Sequence, residues 1–240
     1  MPTCASLCRT RSGSAGTTPR SCSSALTTDR WATFDCYGTL IDWNGGLRRE
    51  LARVFGEEQA DGRLERYHEV EPSLQTGGDR TYQEVMALAM RELGAPADEE
   101  GALARGLPSW EPFPEVRGAL AEARVRGWKL AILSNTDRDF IEASMQRIGV
   151  PFELAIVASE IRSYKPGLCH WERFFEQVDI TPDRHVHVAQ SHFHDVVPAQ
   201  RLGLQTVWIN RYGERHEPTP TRELPDLAEL PDTLDDLVAA

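Results

Sequence analysis

No apolar run in this 240-residue chain approaches a membrane span. The longest near-continuous stretch, Val150 to Ala158, is interrupted by Glu153, whereas roughly 18 residues are needed to cross a bilayer. Positive charge is also scarce: 26 Lys+Arg stand against 37 Asp+Glu, a net charge of −11. That balance repels phosphate backbones, so neither nucleic acid nor a membrane is an expected partner. Cysteines number five. Cys4, Cys8 and Cys22 follow no zinc spacing, and Cys36 and Cys169 need not pair, which fits a reducing, cytoplasmic setting. An apolar core of signal-peptide length is lacking near the start, so secretion is not indicated.

What is present is ordinary globular composition, 40% apolar and 26% charged. The length suits one domain carrying a smaller inserted one. Residues 1–30 stand apart, with six Ser, six Thr, four Arg and a single Asp. Such a segment buries too little apolar surface to offset its ordering entropy and is expected to be a disordered tail.

From Trp31 onward short apolar runs alternate with helical periods. Strands are expected at Trp31–Phe34, Lys129–Leu133, Glu153–Val157, His185–Ala189 and Gln205–Ile209. Helices are expected at Pro114–Arg126, Asp137–Ile148, Leu168–Val178 and Asp195–Leu202, three of them stopped by Gly127, Gly149 and Gly203. This alternation predicts an α/β fold, a doubly wound parallel sheet, over residues 31–42 and 113–240.

Residues 43–112 break the pattern. They show no strand signal, only helical periods at Leu47–Phe55, Arg63–Val70, Thr81–Leu93 and Glu99–Leu107. The third is the clearest: Thr81 and Glu84 form a capping box, and Tyr82, Val85, Met86, Ala89 and Leu93 share one face. An all-helical insert directly after the first strand would stand over that strand's carboxyl end as a cap.

In a doubly wound sheet, ligands bind beyond the carboxyl ends of the strands. There the sequence places Asp35, then Ser134 and Asn135, then Lys165, then the run Gln190-Ser191-His192-Phe193-His194-Asp195. Each alone reads as a turn or cap residue. Together they bring a carboxylate, hydroxyl and amide donors, an ammonium and a second carboxylate into one crevice, a set suited to covalent catalysis. Cys36 reads as a structural neighbour whose side chain points away from that of Asp35. The cluster His185, His187, His192 and His194 invites a zinc reading, but the first two lie on a strand, the others in a loop, and no Cys joins them, so no metal is expected. Trp110, Phe113 and Trp128 read as core or hinge packing, and the acidic stretch Glu214–Asp236 as solvated surface.

The turn Asp35-Cys36-Tyr37-Gly38-Thr39 within Phe34–Asp42 (FDCYGTLID), with Leu130–Asn135 (LAILSN), Tyr164-Lys165-Pro166 and Trp208–Arg211, resembles the haloacid dehalogenase superfamily, in particular its L-2-haloacid dehalogenase branch, over residues 31–238. The resemblance implies a Rossmann-like core, a helical cap and no cofactor. Asp35 would attack the carbon bearing a halide or similar leaving group of a small 2-substituted carboxylic acid, and water would then hydrolyse the aspartyl ester. Lys165 would keep Asp35 ionised, and Asp195 would activate or position the water. Thr39, Ser134 and Asn135 would hold the nucleophile or the substrate carboxylate. Tyr37, Ser191, His192 and Trp171 complete the expected pocket. Capped members of this superfamily are often dimers, so a homodimer is one expected assembly.

Two further readings stay open. Phosphatases of the superfamily carry a second Asp where this chain has Tyr37, and an acidic pair whose first member is here Gln190. Few charged ligands then remain for Mg²⁺, which weighs against a Mg²⁺-dependent phosphatase. A binding module on a retired catalytic scaffold would keep the pocket and turn nothing over. The cap arginine of the dehalogenase branch has no clear counterpart: Tyr67 or His68 falls near its position, with Arg66 and Arg80 close by.

Overall fold

A computed structural model describes residues 29–240. The expected tail, with Cys4, Cys8 and Cys22, lies outside the described residues as far as residue 28. Arg30, assigned to that tail, instead opens the first strand. Its guanidinium is buried over the Trp128 ring, 4.8 Å from the centroid, and pairs with Asp235 at 2.6 Å.

Six strands form one parallel sheet: β1 (Arg30–Phe34), β2 (Trp128–Ser134), β3 (Leu154–Val157), β4 (His185–Ala189), β5 (Gln205–Ile209) and β6 (Arg222–Leu224), in the spatial order β3-β2-β1-β4-β5-β6. The order reverses beside β1, which puts its carboxyl end at the switch point where such sheets take their ligands. Between β1 and β2 run helices α1 (Trp43–Phe55), α2 (Ala60–Leu74), α3 (Tyr82–Glu92) and α4 (Ala102–Gly106). The remaining helices are α5 (Val116–Val125), α6 (Arg138–Ile148), α7 (Ala158–Ile161), α8 (Cys169–Gln177), α9 (Val197–Arg201) and α10 (Leu230–Leu237).

The period of two along the strands divides the core. Ala32, Phe34, Leu130 and Ile132 face a large cluster with Val116, Leu120 and Ala123 of α5, Ile141 and Ile148 of α6, and Leu234 of α10. Trp31, Ala131, Leu133 and Ile156 face the opposite layer, where Trp171 and Phe174 of α8 pack with Ala199 of α9. Each large side chain so buried contributes roughly 1.5–3 kcal/mol. Gly149 closes α6 in the left-handed conformation, φ 71°, which an L side chain adopts only with strain.

β6 and α10 arise from the stretch expected to be solvated surface. Only one face of that segment is acidic: Leu224, Leu227, Leu230 and Leu234 are buried beneath it. No helix among the described residues is long and apolar enough to cross a membrane.

Helix α3 is held by residues far apart in sequence. Thr81 Oγ1 accepts from Glu84 N at 3.2 Å and Glu84 Oε2 accepts from Thr81 N at 2.8 Å, the expected capping box. The two remaining amides of the first turn, Tyr82 N and Gln83 N, donate to the Asp137 carboxylate at 2.8 and 2.9 Å. An aspartate ahead of α6 thus caps a helix of the insert rather than its own, satisfying donors that a helix start leaves over.

Candidate active site

Asp35 ends β1, and the chain turns at once. Gly38 takes φ 90°, and a Cβ there would meet Gln190 Oε1 at 3.3 Å, so glycine serves both the backbone conformation and the close approach of the β4 loop. The turn carries Thr39 back beneath the carboxylate: Thr39 Oγ1 donates to Asp35 Oδ2 at 2.8 Å and accepts from Gln190 N at 2.9 Å. Lys165 arrives from the loop beyond β3. Its Nζ donates to Asp35 Oδ1 at 2.9 Å, Asp195 Oδ1 at 2.6 Å and the Leu133 carbonyl at 2.8 Å. All three protons of the ammonium are used, and its side chain is 1% exposed.

The three residues expected to be catalytic therefore meet. Asp195 comes from a single π turn, His192–Val196, capped by Ser191 Oγ, which accepts from His194 N at 3.1 Å. Its Oδ1 also takes a hydrogen bond from His187 Nε2 at 3.0 Å, while its buried Oδ2 has no protein partner. His187 heads a chain under the sheet: Thr33 Oγ1 lies 2.8 Å from His187 Nδ1 and 2.7 Å from His185 Nε2. A carboxylate needs a donor at His187 Nε2. The Thr33 hydroxyl bridges the two imidazoles at His187 Nδ1 and His185 Nε2. Burial pushes His185 down to about 3 and keeps it neutral.

The two carboxylates differ sharply. Burial drives the Asp35 carboxyl up from its ordinary value; Lys165 pulls it back, Asp195 pushes it further, and the net direction is upward. Asp195, buried as deeply, is nevertheless held down at about 2 by the Lys165 charge and by His187. Burial opposes the charge on Lys165, but Asp195 and Asp35 outweigh it and raise the ammonium above its usual range. One ammonium thus serves two carboxylates and serves Asp195 more. Cys36 is fully buried, and burial followed by the Asp35 charge pushes its thiol well above the normal value, which removes it as a nucleophile.

A cavity of about 420 Å³ opens over Asp35, lined by Tyr37, Ser134, Asn135, Lys165, Ser191 and Asp195 among the expected residues. Others were not singled out from sequence, including Trp43, Asn44, Glu71 and Tyr212, and the wall also takes in His194 and Tyr82. Tyr37 stacks on Tyr82 at 6.4 Å and bonds Ser144 Oγ through its hydroxyl at 3.0 Å. Asn135 spends both ends of its amide on the Lys165 backbone, accepting from its N at 2.7 Å and donating to its O at 3.1 Å. These bonds position the lysine. Thr39 likewise holds the nucleophile.

Two expected pocket residues lie elsewhere. Trp171 sits on the inner face of α8, fully buried against the His187 ring at 5.1 Å, because the helical period aims it into the sheet. His192 points away from Asp35 because the π turn directs its Nε2 to the Pro218 carbonyl at 2.8 Å and its ring against His216 and Trp208. Of the residues near the dehalogenase arginine position, His68 lines the cavity and bonds Asn44 Oδ1 at 3.0 Å, whereas Arg66 pairs with Glu69 on the exposed surface. Tyr67 is buried and donates to Glu71 Oε1 at 3.3 Å. Arg80 is spent on the Leu74 carbonyl at 2.9 Å.

The donor set does not fit a divalent cation. Among the described residues no group of three or more His, Cys, Asp or Glu converges as metal ligands, and the Lys165 ammonium already lies between Asp35 and Asp195.

Comparison with known proteins agrees with this arrangement. The family described as haloacid dehalogenase-like hydrolase matches residues 30–203. The haloacetate dehalogenase H-2 of Moraxella sp. (strain B) is 41% identical over 105 residues, 43% of this chain and 46% of that protein, so the match spans about half of that relative. The (S)-2-haloacid dehalogenase H-109 of Pseudomonas putida is 28% identical over 215 residues, 84% of this chain and 96% of that protein. Among solved structures, an L-2-haloacid dehalogenase from Xanthobacter autotrophicus with chloropropionic acid covalently bound superposes with a TM-score of 0.76 at 19% identity, covering 86% of this chain and 98% of that one.

Proposed function

The chain belongs to the haloacid dehalogenase-like hydrolases, and on that premise we propose that it displaces a leaving group from a small 2-substituted carboxylic acid through an ester on Asp35. The observation that carries this reading is the clamp on the nucleophile: Thr39 Oγ1 on Oδ2 at 2.8 Å and Lys165 Nζ on Oδ1 at 2.9 Å, at the floor of the cavity. A carboxylate so held has its plane fixed and its charge supported while the carbon centre approaches it.

In the first step a carboxylate oxygen of Asp35 forms a bond to the 2-carbon as the bond to the leaving group breaks, and the leaving group departs with that electron pair. In the second step water adds to the Asp35 side-chain carbonyl and the ester bond opens; one water proton goes to the departing alkoxide to give the alcohol, and the other passes by way of Asp195 to solvent as the Asp35 carboxylate is restored. Asp195 lines the cavity and its Oδ2 has no hydrogen-bond partner among the described residues; held ionised by Lys165 and His187, it activates or orients the water and anchors Lys165. Ser134, at the end of β2 on the cavity wall, is the hydroxyl donor for the substrate carboxylate. The protein covalently carrying chloropropionic acid among the solved structures accords with this chemistry. We place the reaction in the cytosol, consistent with the free thiols of Cys36 and Cys169.

The test is a single turnover of 2-haloacids in heavy-oxygen water, with and without chelator, followed by mass analysis of the peptide carrying Asp35. Expected are halide release indifferent to chelator and label on Asp35. Label confined to the product refutes the ester, and loss of activity with chelator favours the phosphatase-like alternative.

A further inference from the structure

The cavity carries a third carboxyl group that the proposed chemistry does not use. Glu71 lies on α2, 8% exposed, with its Oε1 accepting from Tyr82 Oη at 2.8 Å and Tyr67 Oη at 3.3 Å. Among the described residues no hydrogen bond or ion pair is made by Oε2, although Glu71 lines the cavity. A buried carboxyl is ordinarily paired with a cation, yet no arginine lines this cavity, and its lysine is saturated by Asp35, Asp195 and Leu133. Burial lowers both His68 and His194, which keeps the two imidazoles neutral. With Asp35, Asp195 and Glu214 also on the wall, the formal charge around the cavity is negative.

Around Glu71 the wall is aromatic. Tyr82 bonds the Glu71 carboxyl, Tyr37 stacks on Tyr82 at 6.4 Å, and Trp43 Nε1 donates to Tyr82 Oη at 3.2 Å. A half-satisfied carboxyl among aromatic rings is the chemistry that recognises an ammonium group, through charge-assisted hydrogen bonding and attraction to ring faces.

We propose that Glu71 and the neighbouring aromatic rings form a subsite for a protonated amine, so that the substrate is a small 2-substituted acid that also bears an ammonium group. The substrate class rests on the aspartyl-ester reading; the ammonium subsite does not. In the free protein burial holds Glu71 up at about 7, against the two phenols. An ammonium against Oε2 returns it to the ionised form, so the burial penalty is relieved only by a cationic ligand. A zwitterionic substrate also accounts for a negative cavity admitting a carboxylate.

Calorimetry on the full chain with 4-aminobutanoate and pentanoate, in which a methyl group replaces the ammonium, tests the subsite without chemistry. Binding of the amino acid is expected to be about tenfold tighter or more, since a desolvated cation–π and charge-assisted contact exceeds roughly 1.4 kcal/mol. The ratio should collapse in Glu71→Gln. Equal affinity in the wild-type protein, equal preference for 4-hydroxybutanoate, or an undiminished ratio in a folded Glu71→Gln protein overturns the proposal. If the variant does not fold, the wild-type comparison decides alone. Turnover of 4-amino-2-chlorobutanoate and 2-chloropentanoate separates the two readings. Turnover of both without discrimination discards the subsite and keeps the ester. Ammonium-selective binding with no turnover of either discards the ester and keeps the subsite.

Discussion

Replacing Lys165 by Met removes the ammonium while keeping most of the side-chain length, and leaves Asp35 and Asp195, 7% and 1% exposed, as neighbouring buried carboxylates. Breaking a buried pair from one side costs roughly 3–5 kcal/mol, and here Leu133 O also loses its donor. Two such carboxylates do not both stay ionised; one takes up a proton. Asp35 already lies above its ordinary value, whereas Asp195 keeps His187, so the proton goes to Asp35. Without the ammonium its carboxyl moves further above its ordinary value, so only a minor fraction of the nucleophile is ionised at pH 7. With the lost support for the developing charges, turnover should fall by about 10²–10³-fold. The stability sign follows. In the wild-type protein the depressed Asp195 contributes stability that is present above the unfolded value of 3.8 and lost as pH falls toward about 2. In the variant a raised carboxyl binds its proton more tightly in the folded state, so stability is retained at low pH and declines as pH rises through the new value. Denaturant unfolding at pH 5.5 and 8.0 should show a variant deficit against wild type that is larger by several kcal/mol at pH 8.0 than at pH 5.5. Undiminished halide release at pH 7, or a stability deficit equal at both pH values, refutes the reasoning.

Glu71, raised from 4.5 to about 7, contributes stability present below its unfolded value and lost as pH rises through 7; Glu71→Gln should therefore be about 2 kcal/mol more stable than wild type at pH 8.5 and no more stable at pH 4.5, by chemical denaturation. Asp137→Ala removes the acceptor for Tyr82 N and Gln83 N, and should cost about 1–2 kcal/mol of stability, with faster amide exchange in the first turn of α3. The acid limb of kcat/KM should have its midpoint above the ordinary aspartate value of 3.8, because Asp35 is raised; a midpoint below it contradicts the assignment. His187→Leu withdraws the second donor from Asp195 Oδ1, draws Lys165 toward Asp195 and should move that limb to higher pH, whereas His187→Gln, whose amide reaches the same place, should restore it.

The meeting of Asp35, Lys165 and Asp195 is legible in the sequence because strand ends fix where side chains go: an acid directly after an apolar run, and a lysine or acid in the following loops, converge at the switch point in a parallel sheet. What failed were positions whose direction depends on local geometry. Trp171 and His192 enter the expected pocket only through the family resemblance, but α8 turns Trp171 into the sheet and the π turn directs His192 Nε2 to the Pro218 carbonyl. β6 was missed because three residues at a sheet edge, with only Leu224 buried, leave no period to read. Glu71 was missed because an acid on a helix normally marks the wet face. The i,i+4 spacing of Tyr67 and Glu71, beside Val70, was the available signal that this one faces inward.

In the proposed reaction, the unequal division of one ammonium between two carboxylates fits them to different roles. A nucleophile needs electron density available for bond formation, and a carboxylate strongly hydrogen-bonded and strongly paired has least of it. Asp195 takes the shorter contact with Lys165, 2.6 Å against 2.9 Å, and the imidazole as well. It is thereby the weaker base and the firmer anchor. Asp35 takes the longer contact and one hydroxyl, and its burial raises its basicity. Two like groups are thus pushed apart by their surroundings, the pattern by which a site differentiates carboxylates. The Thr33–His187 chain beneath the sheet belongs to this division, because without its donor Asp195 would draw the same lysine further from Asp35. Residues that never reach the cavity therefore set the nucleophilicity of the one that does.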